Sequence, residues 1–206
     1  MSLHISSGLS GTFNSAKKGG ELINYAEVTA VDTMTLSGGE RFQVLAGAWA
    51  AKAGWTTQRN IGKLGNIRSS TEVIYTLETM EYLARGGRIG RVQALAGSVL
   101  KIKPVIRVDR EDGKYSTVGK NRTIQQSLAN ITEHIAEMYG SIPMWTTVLH
   151  GRLADTAETQ SNLLNNKLHV KKMVILRISP VLGVHTGPGI VGVAVMPFNL
   201  IEDIYS

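Results

Sequence analysis

The stretch from His4 to Ala16, HISSGLSGTFNSA, constrains the fold more than any other part of the chain. Its apolar, strand-like start passes through a turn of hydroxyls and glycines into a helix that reads from Phe13 to Asn24. A strand handed to a helix in this way belongs to an α/β fold. The turn also gathers hydroxyls and free backbone N–H groups at one point, where a carboxylate or phosphate can sit. Near the other end Gly183 to Gly189, GVHTGPG, sets one imidazole in a glycine-rich loop. Two such segments in a chain of 206 residues point to one shared site.

The alternation continues beyond the first turn. Glu27 to Asp32 reads as a buried strand, Gly38 and Gly39 precede an Ala-rich helix from Arg41 to Lys52, and a more polar helix follows from Thr57 to Leu64. A boundary near Ser69 to Glu72 divides the chain into a first α/β lobe over residues 1–70 and a second over 71–206. In the second, Glu72 to Leu77 is a β-branched strand, Thr79 to Ala84 a short helix ended by Gly86 and Gly87, and Gln93 to Leu100 another helical piece. Ile102 to Val108 and Tyr115 to Gly119 form a hairpin around Gly113. Thr123 to Met138 is the clearest amphipathic helix, and Trp145 to Leu149 and Lys172 to Ile178 are strands flanking a helix from Asp155 to Leu168.

Composition narrows the function classes. With 43% hydrophobic and 18% charged residues the chain is an ordinary globular one. Its longest apolar runs, Val44 to Ala51 and Ile190 to Met196, are too short to span a bilayer, so stable membrane insertion is not expected. The absence of Cys excludes disulfides, thiolate nucleophiles and cysteine metal sites, and with no secretory pattern in MSLHISS it makes the cytoplasm the expected location. A net charge of +6 permits attraction to anionic surfaces, yet the 22 Lys and Arg are scattered and lack the aromatic interleaving of a nucleic-acid platform.

Ser6, Ser7, Ser10 and Thr12 can each donate an O–H to an anion that Gly8 and Gly11 let approach. For Ser10 and Thr12 a helix cap is the favoured reading, whereas two adjacent hydroxyls at Ser6 and Ser7 exceed what capping needs. His185, followed by Thr186, Gly187 and Pro188, sits where an imidazole can donate to a carboxylate. His4, His134, His150 and His169 have no metal-ligand spacing. The run Arg85 to Arg91, RGGRIGR, is cradle-like in composition but lacks the spacing of a standard nucleotide loop. A serine-dependent acyl hydrolase or transferase is the alternative from another class, since Ser15-Ala16-Lys17-Lys18 fits Ser-x-x-Lys and Asp32 is the one early acid able to orient His185.

Taken in order, SSGLSGTFNSA, VDTMTLSGG, YLARGGRIG, LKIKPVI, the turn Lys120-Asn121-Arg122 and GVHTGPG resemble the DegV family of bacterial fatty-acid-binding proteins along nearly the whole chain. The resemblance implies a two-lobed α/β protein that encloses a long-chain fatty acid as its ligand, needs no cofactor, and serves as the noncatalytic acyl-carrying subunit of a fatty-acid kinase. It implies that Ser7 holds the carboxylate with Ser6 beside it, that His185 and Thr186 reach the same head group, and that Arg88 and Arg122 lie at the site mouth facing the kinase. The family's Asp-Ser-Thr strand and Thr-Ser-Gln-Pro-Ser loop do not occur in this sequence. The first lobe is therefore expected to be truncated at its N-terminus, and a homodimer is one way to cover the surface this exposes.

Overall fold

The computed structural model describes residues 1–95 and 102–205. Strand β1 (Ser2–His4) leads through the hydroxyl-rich turn into helix α1 (Thr12–Glu21) and pairs in parallel with β2 (Ala30–Asp32), Ser2 opposite Ala30 and His4 opposite Asp32. α1 stops short of the expected Asn24 because two weak helix formers, Gly19 and Gly20, fill its last turn. Helix α2 (Ser37–Lys52) begins before the expected Arg41, and α3 (Thr57–Ser70) follows it, capped by the Thr56 hydroxyl, which accepts from the Arg59 N–H. Gly38 and Gly39 are close-approach residues rather than breakers. A Cβ on Gly38 would lie 2.6 Å from the Ala194 methyl, and one on Gly39 2.5 Å from Thr35 Oγ1.

The main sheet has six strands. β3 (Glu72–Leu77) is followed by the short helix α4 (Glu81–Arg85) and a 3₁₀ turn over Gly90–Leu95; the remainder of the helical piece expected to Leu100 lies outside the described residues. The hairpin β4 (Lys103–Val108) and β5 (Tyr115–Asn121) leads into α5 (Ile124–Tyr139), where the Thr123 hydroxyl caps the helix by accepting from the Gln126 N–H. β6 (Met144–His150), α6 (Ala154–Lys167) and β7 (Val170–Arg177) form a parallel crossover, and α7 (Pro180–Thr186) and β8 (Ile190–Pro197) complete the chain before a final 3₁₀ turn, Phe198–Leu200. The strand order is β5-β4-β3-β8-β6-β7, and every pairing except β6 with β7 is antiparallel. The apolar run from Ile190 is thus an inner strand, buried on both faces, which is why it shows no polar alternation.

Helices cover both faces. Phe42, Ala46, Leu64 and Ile67 of α2 and α3 pack on one side with Tyr75, Trp145 and Met196; Ile131, Ile135 and Leu164 of α5 and α6 pack on the other with Ile74, Val105 and Val148. Alternating residues of β3 therefore serve opposite cores, as a period of two requires. Helices α2 and α3, which the sequence division assigns to the first lobe, share a core with the sheet of the second. Among the described residues no helix is long and apolar enough to cross a membrane.

One ionic cluster sits inside this frame. Glu72, wholly buried, accepts from Arg110 at 3.0 Å and lies 3.3 Å from Arg107 Nε and 3.5 Å from His134 Nε2. Arg110 also donates to the Tyr139 hydroxyl at 2.9 Å, which in turn donates to the Ser70 carbonyl at 2.9 Å. Burial pushes the Tyr139 phenol well above its ordinary range, so it stays a neutral donor. Removing the carboxylate leaves two guanidiniums facing each other without compensation. Glu72→Ala is expected to destabilise the protein by about 3 kcal/mol or more in denaturant unfolding; a loss under about 1 kcal/mol would mean that water already screens the cluster.

Candidate functional site

Four segments converge on a cleft of about 380 Å³. The turn after β1 supplies Ile5, Leu9, Ser10 and Thr12, and the turn into α2 supplies Leu36, Ser37, Glu40 and Arg41. Arg88 comes from the loop after α4, and Leu182 and His185 come from α7. Leu149, Leu176 and Tyr115 complete a wall that is mainly apolar between polar groups.

The N-terminal turn is held from three directions. The Ser6 N–H donates to the Thr35 carbonyl at 2.8 Å, and the Ser6 hydroxyl donates to the Gly113 carbonyl at the tip of the β4–β5 hairpin, also at 2.8 Å. The Asp32 carboxylate accepts from the backbone N–H of Ser7 at 3.2 Å and of Met34 at 2.9 Å. Asp32 therefore organises two turns and, among the described contacts, makes none with His185, so the triad considered from the sequence has no acid in place. Ser10 Oγ lies 2.7 Å from Thr12 Oγ1 and accepts from the Thr12 N–H at 3.3 Å. The N-cap position itself is Gly11, while the Ser10 hydroxyl takes up the first helical N–H, and both Ser10 and Thr12 line the cleft. Across from them Met34 and Ser37 hold positive φ values of 53° and 50°, strained for residues with a side chain.

His185 lies in the last turn of α7 and not in the loop that its glycines led us to expect. Pro180 at the start of the helix and the Ser179 hydroxyl, which accepts from the Leu182 N–H, fix that single short helix, and Gly187 at φ 79° ends it. The imidazole rests on Gly86 of the ARGGR segment, where a Cβ would come within 2.5 Å of Nδ1. Nδ1 is buried and has no hydrogen-bond partner among the described residues. Next to it the Arg88 guanidinium donates to the Gly86 carbonyl at 2.7 Å.

The structure brings some of the sequence candidates together and leaves others aside. His185 and Arg88 line the cleft. Ser7 is exposed and not part of the cleft wall, with its backbone N–H on Asp32. Ser6 and Thr186 are buried, with hydroxyls that donate to the carbonyls of Gly113 and Leu182. Arg122 lies at the end of β5, exposed, with its N–H on the Gln126 side chain, and is not part of the cleft wall. Sequence reasoning missed Ser37, Arg41, Tyr115 and Ser179. The pair Gly38-Gly39 was the available signal for the first two, since glycines that let a helix start press against a sheet also mark a crevice.

Electrostatics follows burial. Desolvation raises the Glu40 carboxyl above the usual carboxylate range and lowers the Arg41 guanidinium from its ordinary value. Burial also pushes the Tyr115 phenol up, while the nearby Arg88 charge pulls it back. Among the described residues no group of His, Asp and Glu could hold a metal ion.

Comparison with known proteins places this geometry. Residues 1–197 match the family model described as "Uncharacterised protein, DegV family". A DegV domain-containing protein of Deinococcus radiodurans is 36% identical over 198 residues, covering 96% of this chain and 69% of its own length. Another from Clostridium perfringens is 35% identical over 193 residues, covering 94% and 68%. Among solved structures, a DegV family protein from Thermus thermophilus, described for its fatty acid binding, superposes with a TM-score of 0.87 at 28% identity, covering 95% of this chain and 70% of that one. DegV of Bacillus subtilis, described as a fatty acid binding protein, gives 0.82 at 27% identity, covering 95% and 71%. A family match over nearly the whole chain, relatives more than a third identical and a shared fold lead to one conclusion: this chain belongs to the DegV family.

Proposed function

We propose that this chain binds a long-chain fatty acid in the cleft, holds its carboxylate near His185 and presents it to a partner fatty-acid kinase in the cytoplasm, catalysing nothing itself. The observation that carries this reading is the meeting of the N-terminal turn and His185, from opposite ends of the chain, across one largely apolar cavity. The Thermus and Bacillus relatives, which share the fold and are described as binding fatty acids, support it.

The energetics divide between tail and head. Burying an acyl chain yields about 0.8 kcal/mol per methylene, so a long tail supplies roughly 10 kcal/mol before association costs. A buried carboxylate needs donors in return. His185, whose Nδ1 is packed on Gly86 so that the ring's other nitrogen is the one to donate, the Ser7 hydroxyl and the Ser10–Thr12 pair are the groups this reading assigns to that role. Ser6 and Thr186 would have to release a backbone carbonyl before donating, so in this reading they shape the pocket beside the head group. Arg88 at the cleft wall and Arg122 on the adjoining surface are the proposed contacts for the kinase. The acyl-enzyme alternative lacks a serine hydrogen-bonded to His185 among the described contacts, and no observation favours it.

Native mass spectrometry of gently extracted protein is expected to show a copurified fatty acid; an empty protein whose melting point hexadecanoic and octadecenoic acids leave unmoved would overturn the reading. Ser7→Ala and His185→Ala should each weaken fatty-acid binding by about tenfold, the worth of one charge-assisted hydrogen bond. Unchanged affinity in both would remove these residues from the site. Gly86→Ala tests the seat of the imidazole. Its φ of −75° suits alanine, so melting should barely change, while the displaced ring should cost binding about as much as His185→Ala does.

A further inference from the structure

The cleft wall contains a second polar anomaly. Arg41, one helical turn beyond Ser37 on α2, lines the wall with its Nη1 buried and, among the described residues, without a hydrogen-bond partner. Among the described residues it forms no ion pair. Its guanidinium rests 5.4 Å from the centre of the Trp145 ring, and Lys172 Nζ, 4.6 Å from the same ring, adds a second positive charge. Lys172 is turned to the Tyr205 hydroxyl and supplies no anion. The neighbouring Glu40 carboxylate makes no ion pair with it among the described residues either.

This cation and the imidazole come to the cleft from different elements, α2 and α7. Trp145 stands opposite Lys172 in the sheet, whereas α7 follows Arg177, and those two positions on β7 are roughly 16 Å apart. Leu36, Leu149 and Leu182 are apolar members of the same wall. One carboxylate cannot serve both poles. A simple fatty acid seated at His185 would lay methylenes against the Arg41 guanidinium and strip its remaining water, which costs free energy with no return.

We propose that the preferred ligand of this cleft carries an acid at each end: an α,ω-dicarboxylic acid of acyl length, with one carboxylate at His185 and the other on Arg41. The inference rests on the fatty-acid reading above and names its ligand class. The second carboxylate gives Arg41 a charge-assisted partner, and the apolar wall takes the methylenes between.

Titration of the full chain with hexadecanoic, hexadecanedioic and dodecanedioic acids, by calorimetry or displacement of a fluorescent fatty acid, tests this. At least one diacid should bind about tenfold tighter than the monoacid. Arg41→Leu should abolish that preference and leave monoacid affinity equal or improved, while Arg41→Lys should keep part of it. If Arg41→Leu does not melt cooperatively, Arg41→Gln takes its place. A wild-type protein that binds the monoacid as well as or better than both diacids overturns the diacid proposal alone, as does a preference that survives loss of the guanidinium. Failure of all three acids to bind overturns the fatty-acid reading together with it.

Discussion

The hydrogen bond from the Ser6 hydroxyl to the Gly113 carbonyl joins residues 107 positions apart, and the rest of the site depends on it. Strands β1 and β2 form only a two-stranded sheet, a unit too small to hold a shape unaided. The hairpin tip of the main sheet supplies the missing anchor. Its fit is close on both sides: a Cβ on Gly8 would lie 2.6 Å from the Asp112 carbonyl oxygen, and one on Gly113 would overlap the Ser6 hydroxyl. Small residues are needed on both partners because the backbones approach within hydrogen-bonding reach.

That anchoring gives the cleft two fixed sides. Asp32 ties the turn after β1 to the turn before α2 through backbone amides, and the glycines at the start of α2 let that helix lie against β6 and β8. The backbone strain at Met34 and Ser37 is stored between these constraints, at the cavity edge. On the opposite side α7 is a single short helix set on Gly86, with Val181 and Val184 largely exposed on its outer surface. Of its residues only Thr186 is buried, so this wall is lightly braced.

Much of the fold was legible before the structure. Glu72 to Leu77 is a strand with the bounds read from its β-branched pattern, and the amphipathic helix at 124–139 is displaced by one residue because Thr123 caps it. The hairpin around Gly113 and the helix between β6 and β7 were equally plain. Errors gathered at glycines. Gly38 and Gly39 read as a break and are helix; Gly183 read as loop and lies in α7. Local propensity treats glycine as a disruptor, whereas these positions use its missing Cβ to admit a neighbouring chain or ring. The strand β8 escaped notice for a related reason, since burial on both faces erases the alternation by which strands are recognised.

The candidate site divides along the same line. By itself the sequence determined that hydroxyls cluster in one turn, that an imidazole stands in a glycine-rich segment and that no thiol chemistry is possible, because these depend only on which residues are neighbours along the chain. Tertiary structure decided which hydroxyls are committed to backbone carbonyls, which nitrogens are buried without partners, and that Arg41 and Tyr115 share a cavity with His185. Those are properties of contacts between distant segments. A hydrogen bond across 107 residues and a guanidinium nitrogen buried in a cavity wall leave no periodic trace in the sequence, because the groups that satisfy or desolvate a side chain are chosen by packing.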